Sequence, residues 1–461
     1  MSKKELLELL KKSLQDALDS IQDRDKEELN EDQINSLKNG IKKVFEKVLD
    51  KGESKHILKK VIKDKAEFLR MFNPWQNEEY KLIKKFVNTI NNPDSNKDFS
   101  WLEILEKDEQ WKKSWEKSNK EVKLKEEVTD KNKHVNMRYQ IPTHFHGDID
   151  NAVIFHCMEN PRGYLGEYED SYIDKELGGA DLEEYFGKTY KLLNEDNSSN
   201  KSIKQIIKER YQLGEGEIDS KNITNITNII YSDKSNLSRE LDNLFSREEK
   251  FFEEEYNLKK NKNSNNSVLS EECYYMAQYY AQLLEIDGKS MIKLKDKPGC
   301  ENTEGRKEAR KIAKKICNLE IYPFSCKDPK LGNNGIGEKI LLNSDLSRLG
   351  AYIVLRRIYK YLVNETPQKP VFVFRKYDRA WEKLFKKIFE EVGAEDNFLQ
   401  DLESQFFYCQ TSQQGGGITS GNVISVRDFK ALELLKKLAF RDIFDMITEK
   451  EDSDYWSDSN V

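Results

Sequence analysis

The sequence predicts an α/β fold: a four-stranded parallel sheet sandwiched by helices, with an added helical N-terminal region and a long, partly helical insertion. Three observations predict it. Four short apolar runs of strand length, at 152–158, 316–321, 371–374 and 406–409, are nearly continuous and lack the alternation of a half-solvated strand. Helical stretches at 346–363 and 379–391 separate the later runs, and short buried strands alternating with helices imply a parallel sheet covered on both faces. The 461 residues include 22 Phe, 21 Tyr and 6 Trp, enough for a sizeable core although 35% of the chain is charged.

The first 135 residues read as helices. Leu6, Leu7, Leu10, Leu14 and Leu18, and then Ile41, Val44, Phe45 and Val48, recur at spacings of three and four. Phe68, Leu69 and Phe72 lead into Asn73-Pro74-Trp75, a helix break, before Tyr80, Ile83, Phe86, Val87 and Ile90 mark another helix. Residues 111–134 hold eight Lys and five acidic residues with few core formers, the composition of a solvated helix and linker.

About 155 residues separate the first two strands, far more than one crossover needs. Within this stretch Tyr274-Tyr275, Tyr279-Tyr280 and Leu283-Leu284 give one helical face, read as core of the insertion. The runs at 194–202 and 261–267 are polar and of low complexity. A last helix is expected at 427–447, followed by a tail with five acidic residues and one Lys, expected to be disordered. The expected domains are a helical region at 1–135, an α/β domain at 136–448 with its insertion at about 176–300, and the acidic tail at 449–461.

Composition narrows the class. The net charge of −6 argues against indiscriminate nucleic-acid binding, though it says nothing about a local basic groove. The six cysteines form no CxxC pair, and most stand in apolar runs, as reduced core thiols of a cytosolic protein do. No window approaches the roughly 18 apolar residues of a membrane span, and the opening MSKKELLELLKKSLQ has no apolar core of a signal peptide. A cytoplasmic protein without membrane contact is therefore expected.

In an open parallel sheet, ligands sit at the carboxyl ends of the strands. Those ends carry Glu159-Asn160-Pro161-Arg162-Gly163-Tyr164, then Tyr322-Pro323-Phe324-Ser325, then Arg375-Lys376-Tyr377, then Gln410 to Gly417 and Ser420-Gly421-Asn422. Aromatic faces, amides and glycines suit a flipped nucleobase and its phosphates. Neither a P-loop nor a GxGxxG motif is present, so no nucleoside triphosphate or dinucleotide site is expected. Arg375, with Lys376 and Arg379 beside it, suits either a phosphate contact or a salt bridge to Glu320 or Asp378. His144 and His146 beside Asp148 are read as structural and not as metal ligands, His156 as a satisfied core histidine, and Trp381 as core.

Four blocks in order, IPTHFHGDIDNAVIFHCMENPRGYLG at 141–166, NLEIYPFS at 318–325, VFVFRKYDRAW at 371–381 and TSQQGGGITSGN at 411–422, resemble the uracil-DNA glycosylase superfamily and its bacterial relatives. The resemblance covers roughly 141–175 and 315–425. It implies metal-independent, cofactor-free hydrolysis of an N-glycosidic bond after base flipping, plausible in anti-phage defence, with DNA or RNA as partner. Asn160 would orient water, with Glu159 beside it. Gly163, Tyr164, Tyr322, Phe324, Ser325, Arg375, Ser412, Gln413 and Asn422 would hold the substrate. The sequence departs from the pattern at Met158 and Arg162, where such loops carry Gly, and it has no His after residue 156. Two alternatives stay open: a non-catalytic nucleic-acid-binding or sensing module, whose N-terminal helices take a protein partner or self-associate, and an abortive-infection nuclease.

Overall fold

The computed structural model describes residues 29–48, 61–76, 82–83, 143–159, 226–227, 230–246, 274–280, 282–284, 304–322, 331, 338, 341–342, 345–394, 397–411 and 417–433. These include seven strands in one sheet: β1 Phe145–His146, β2 Ile154–Met158, β3 Tyr231–Ser232, β4 Ile316–Glu320, β5 Val371–Phe374, β6 Phe407–Gln410 and β7 Val423–Ser425. Their order across the sheet is β3-β1-β4-β2-β5-β6-β7. The helices are α1 Glu31–Val48, α2 Lys65–Phe72, α3 Asn236–Ser246, α4 Tyr274–Gln278, α5 Glu304–Lys314, α6 Asp345–Leu362, α7 Glu382–Val392 and α8 Phe398–Phe406.

The four apolar runs are neighbours. β4, β2, β5 and β6 pair in parallel, with Phe155 opposite Cys317 and Phe372, and Val373 opposite Tyr408. The expected sheet of four parallel strands is nevertheless incorrect, because the observed one has seven strands and is mixed. β1 and β7 pair antiparallel at its two sides, and β3 extends it in parallel beyond β1. Those three strands are two or three residues long, too short for an apolar period to mark them.

The pleat sorts the side chains onto two faces. Phe155, Cys157, Cys317, Leu319, Phe372, Phe374, Phe407 and Cys409 point to the face that packs on α1, α6, α7 and α8. α1 is amphipathic as expected: Leu37, Ile41, Val44 and Phe45 are buried in that same core, so the face offered for a protein partner is spent inside the chain. Its start is a reciprocal capping box, in which Gln33 N–H donates to Asn30 Oδ1 and Asn30 N–H to Gln33 Oε1, at 2.9 and 3.1 Å. Gly40 on α1 lies against the Phe398 ring, where a Cβ would collide with it. α2 begins at Asp64, whose carboxylate accepts from the N–H groups of Ala66 and Glu67, and ends at Asn73, where the break was expected.

Two buried arginines of α6 fix the amino edge of the sheet. Arg356 pairs with Asp150, which also takes Lys360 at 3.0 Å, while Arg357 donates to the carbonyls of Ala152 and Gln368 and to the Thr366 hydroxyl. Burial alone would raise the Asp150 carboxyl, but the Arg356 hydrogen bond and the charges of Arg356 and Lys360 outweigh it and hold its pKa below the usual value. Gly147 turns the chain between β1 and this loop at φ 129°, with the Cys317 backbone 2.6 Å from where a Cβ would stand. Only glycine satisfies both constraints.

Candidate functional site

The second face of the sheet is polar at its centre. His156 of β2 and Asn318 of β4 are register partners there, and Met158 with Glu320 come next toward the carboxyl edge. Arg375 follows β5, and Gln410 ends β6. Over this row lies α4 with its continuation, carrying Tyr275, Tyr279 and Tyr280 from the insertion.

The polar groups are linked in a chain. Asn318 Oδ1 accepts from the Asn236 N–H at 3.1 Å, so its Nδ2 donates to Tyr280 Oη at 2.5 Å. The Tyr280 proton then goes to His156 Nδ1, 3.0 Å away. His156 consequently carries its own proton on Nε2, where the Gln410 amide stands 3.4 Å off. Half a turn of that amide sets Oε1, otherwise without a partner, onto the imidazole N–H. Burial, helped by the Arg375 charge, holds the His156 pKa down to about 3, so the ring is neutral. With both ring nitrogens engaged, His156 is a structural member of the core.

A charge cluster closes the carboxyl edge. Glu159 takes Lys376 at 2.5 Å and Arg375 at 3.7 Å. Arg375 also donates to Tyr279 Oη at 2.8 Å and lies over that ring. Burial pushes the Glu320 carboxyl well above its usual range; Arg375 opposes this and Glu159 adds to it. At the far end of α4, Glu240 accepts the N–H groups of Tyr275 and Met276, both at 2.7 Å. Burial raises the Glu240 pKa to about 7 against those two bonds.

Of the residues expected at a site, four are described. Glu159 and Arg375 stand together, and the salt bridge foreseen for Arg375 is made to Glu159 and not to Glu320 or Asp378. Tyr322 is buried, and its N–H donates to the Glu159 carbonyl at 2.8 Å. Asn422 anchors the last loop, donating from Nδ2 to the Gly417 carbonyl at 2.9 Å. Asn160, Gly163, Tyr164, Phe324, Ser325, Ser412 and Gln413 lie outside the described residues. Sequence reasoning missed the part that Tyr279, Tyr280, Glu240 and Gln410 play; the paired tyrosines at helical spacing were its one available signal. His144 and His146 flank Phe145 on β1, and among the described residues no group of three or more His, Cys, Asp or Glu could hold a metal ion.

Comparison with known proteins redirects the reading. The family described as MOLPALP family lipoprotein matches residues 2–345, about three-quarters of the chain. No curated protein and no solved structure matches it. The family match overturns the resemblance to uracil-DNA glycosylases, and with it the glycosylase activity, the nucleic-acid sensing and nuclease alternatives, the role in anti-phage defence and the DNA or RNA partner. It corrects the cytoplasmic location and the exclusion of membranes as well, since a lipoprotein is held at a membrane through lipid. The physical reason for the error is that turn residues, strand-end cations and Gly-rich loops recur at strand ends in many α/β proteins of unrelated function, so the four blocks tracked an architecture and not a chemistry. The chain belongs to the MOLPALP family of lipoproteins.

Proposed function

We propose that the protein works at a membrane surface as a lipid-tethered binding protein, its α/β body lying beside the bilayer. Membership of a lipoprotein family carries this reading. Among the described residues no helix is long and apolar enough to cross a membrane. Cys157, Cys317 and Cys409 are buried in the sheet, which closes these three thiols to acylation. In cells that make the protein, it should sediment with membranes, resist washing with salt and alkaline carbonate, and be released by detergent. Release by salt alone would contradict a lipid tether.

A binding role for the body is favoured by Glu320, whose Oε2 is buried without a hydrogen-bond partner beside the Arg375–Glu159 pair. An unmade bond at a buried carboxyl destabilises the fold by about 1–3 kcal/mol, and a donor on a small polar ligand would relieve it. Screening polar metabolites by thermal shift should find compounds that stabilise the wild-type protein and not Glu320→Gln. Equal stabilisation of both would remove Glu320 from the site.

A further inference from the structure

We infer that the solvent face of α5 is a docking surface for anionic phospholipid. The inference rests on the membrane-associated reading above and adds which side of the body meets the bilayer. Residues 307–315, KEARKIAKK, contain five cations and one carboxylate, in a chain whose net charge is −6. Ala309 and Ala313 are fully buried on the side of α5 that packs toward α3 and β4. At 100° per residue, Lys307, Lys311 and Lys314 fall together on the opposite side, and all three are exposed. Arg310 flanks them, stacked on Phe245, and Lys315 follows at the helix end.

The ion pairs set this face apart from α7. On α7, Lys383, Lys386 and Lys387 are each matched by a carboxylate, Glu338, Glu382 and Glu391 respectively. On α5, Glu308 takes Lys311 and Asp242 lies 3.9 Å from Arg310, while Lys307, Lys314 and Lys315 pair with no carboxylate among the described residues. Lys311 and Lys314 complement the helix dipole at the last turn. Lys307, a full turn earlier, does not, so the dipole leaves part of the stripe unexplained. Cations that no carboxylate among the described residues offsets, Lys307, Lys314 and Lys315, together with a lipid tether supply the second signal that stable attachment to an anionic bilayer needs.

The full chain without lipid should co-sediment with vesicles of phosphatidylcholine mixed with phosphatidylglycerol in equal parts, and not with vesicles of phosphatidylcholine alone. Binding should fall as salt rises. The triple variant Lys307→Gln, Lys311→Gln, Lys314→Gln should bind the anionic vesicles about a hundredfold more weakly, roughly fivefold per cation. Removing the same charge elsewhere, in Lys43→Gln, Lys47→Gln, Lys387→Gln, should change binding less than about twofold. All six positions are solvent-facing, and matching circular dichroism of both variants with wild type secures the comparison. Equal loss in the two variants, equal binding to both vesicles, no binding to the anionic vesicles, or tighter binding to duplex DNA at the same salt would each overturn the assignment. The assay reads α5 without the tether, whereas detergent release from cell membranes reads the tether, so either idea can fail while the other stands.

Discussion

Tyr280 of the insertion places its hydroxyl 3.0 Å from Nδ1 of His156, at the centre of the sheet and 124 residues earlier in the chain. That bond ties the segment after α4 to the centre of the sheet. Removing the hydroxyl in Tyr280→Phe would leave His156 Nδ1 and Asn318 Nδ2 buried without partners, and each unmade bond destabilises by about 1–3 kcal/mol. Urea unfolding should show a loss in that range. Wild-type stability in Tyr280→Phe would mean that the polar chain from Asn318 to Gln410 does not hold Tyr280 and its helix on the sheet.

Gly40 sits inside α1, where alanine is ordinarily worth about 1 kcal/mol more than glycine. Here the Phe398 ring of α8 occupies the place of a Cβ, and the Phe389 ring, its centroid 4.7 Å away, leaves it little room to move. Gly40→Ala should therefore lower the melting temperature, and Phe398→Leu added to it should recover part of the loss. A more stable Gly40→Ala protein would show that α1 and α8 are not in close contact.

Glu240 gives the fold a pH dependence of definite sign. Its pKa rises from about 4.5 in the unfolded chain to about 7 in the folded one, so the native state binds the extra proton. Stability from this group is complete below pH 4.5 and is lost as pH rises through 7. Glu240→Gln should flatten that part of a stability profile measured by urea unfolding at each pH. An unchanged slope would assign it to another group, with Glu320, shifted in the same direction, as the next to substitute.

Asp150 acts in the opposite sense. Its pKa is lowered on folding, so its contribution is present above the unfolded value of 3.8 and is lost as pH falls through the folded one. Removing one partner of a buried ion pair usually costs about 3–5 kcal/mol, because the other charge stays buried. Asp150→Asn should destabilise by that order, since Arg356 is 1% exposed. Arg356→Met combined with Asp150→Asn should lose less than the single change. Loss in the double variant equal to or greater than in the single one would place the stabilising contact outside this pair.

The central sheet was legible because β2, β4, β5 and β6 are buried on both faces and spell continuous apolar runs. α1 and α6 were legible from their spacing, as was the break at Asn73. The two-residue strands β1 and β3 were not, because Phe145–His146 and Tyr231–Ser232 are held by backbone bonds, such as His144 N–H to the Ile230 carbonyl at 2.9 Å, that leave no pattern in side chains. Strand-end positions placed Glu159 and Arg375 at the carboxyl edge, where the structure has both. Their pairing with each other spans 216 residues and the cover supplied by Tyr279 spans 96, separations that no local signal encodes. Function was misread for a related reason: residue types at strand ends are shared by many α/β proteins, whereas the family match draws on most of the chain.

Metabolic labelling tests the lipid tether most directly. Cells producing the full-length protein would be grown with a clickable fatty-acid analogue, and the protein captured by antibody and reacted with a fluorophore. A lipoprotein-family member that works at a membrane surface should carry the label, and the label should persist after denaturing washes that strip non-covalent lipid. An unlabelled protein, recovered from cells whose other lipoproteins are labelled, would contradict the account.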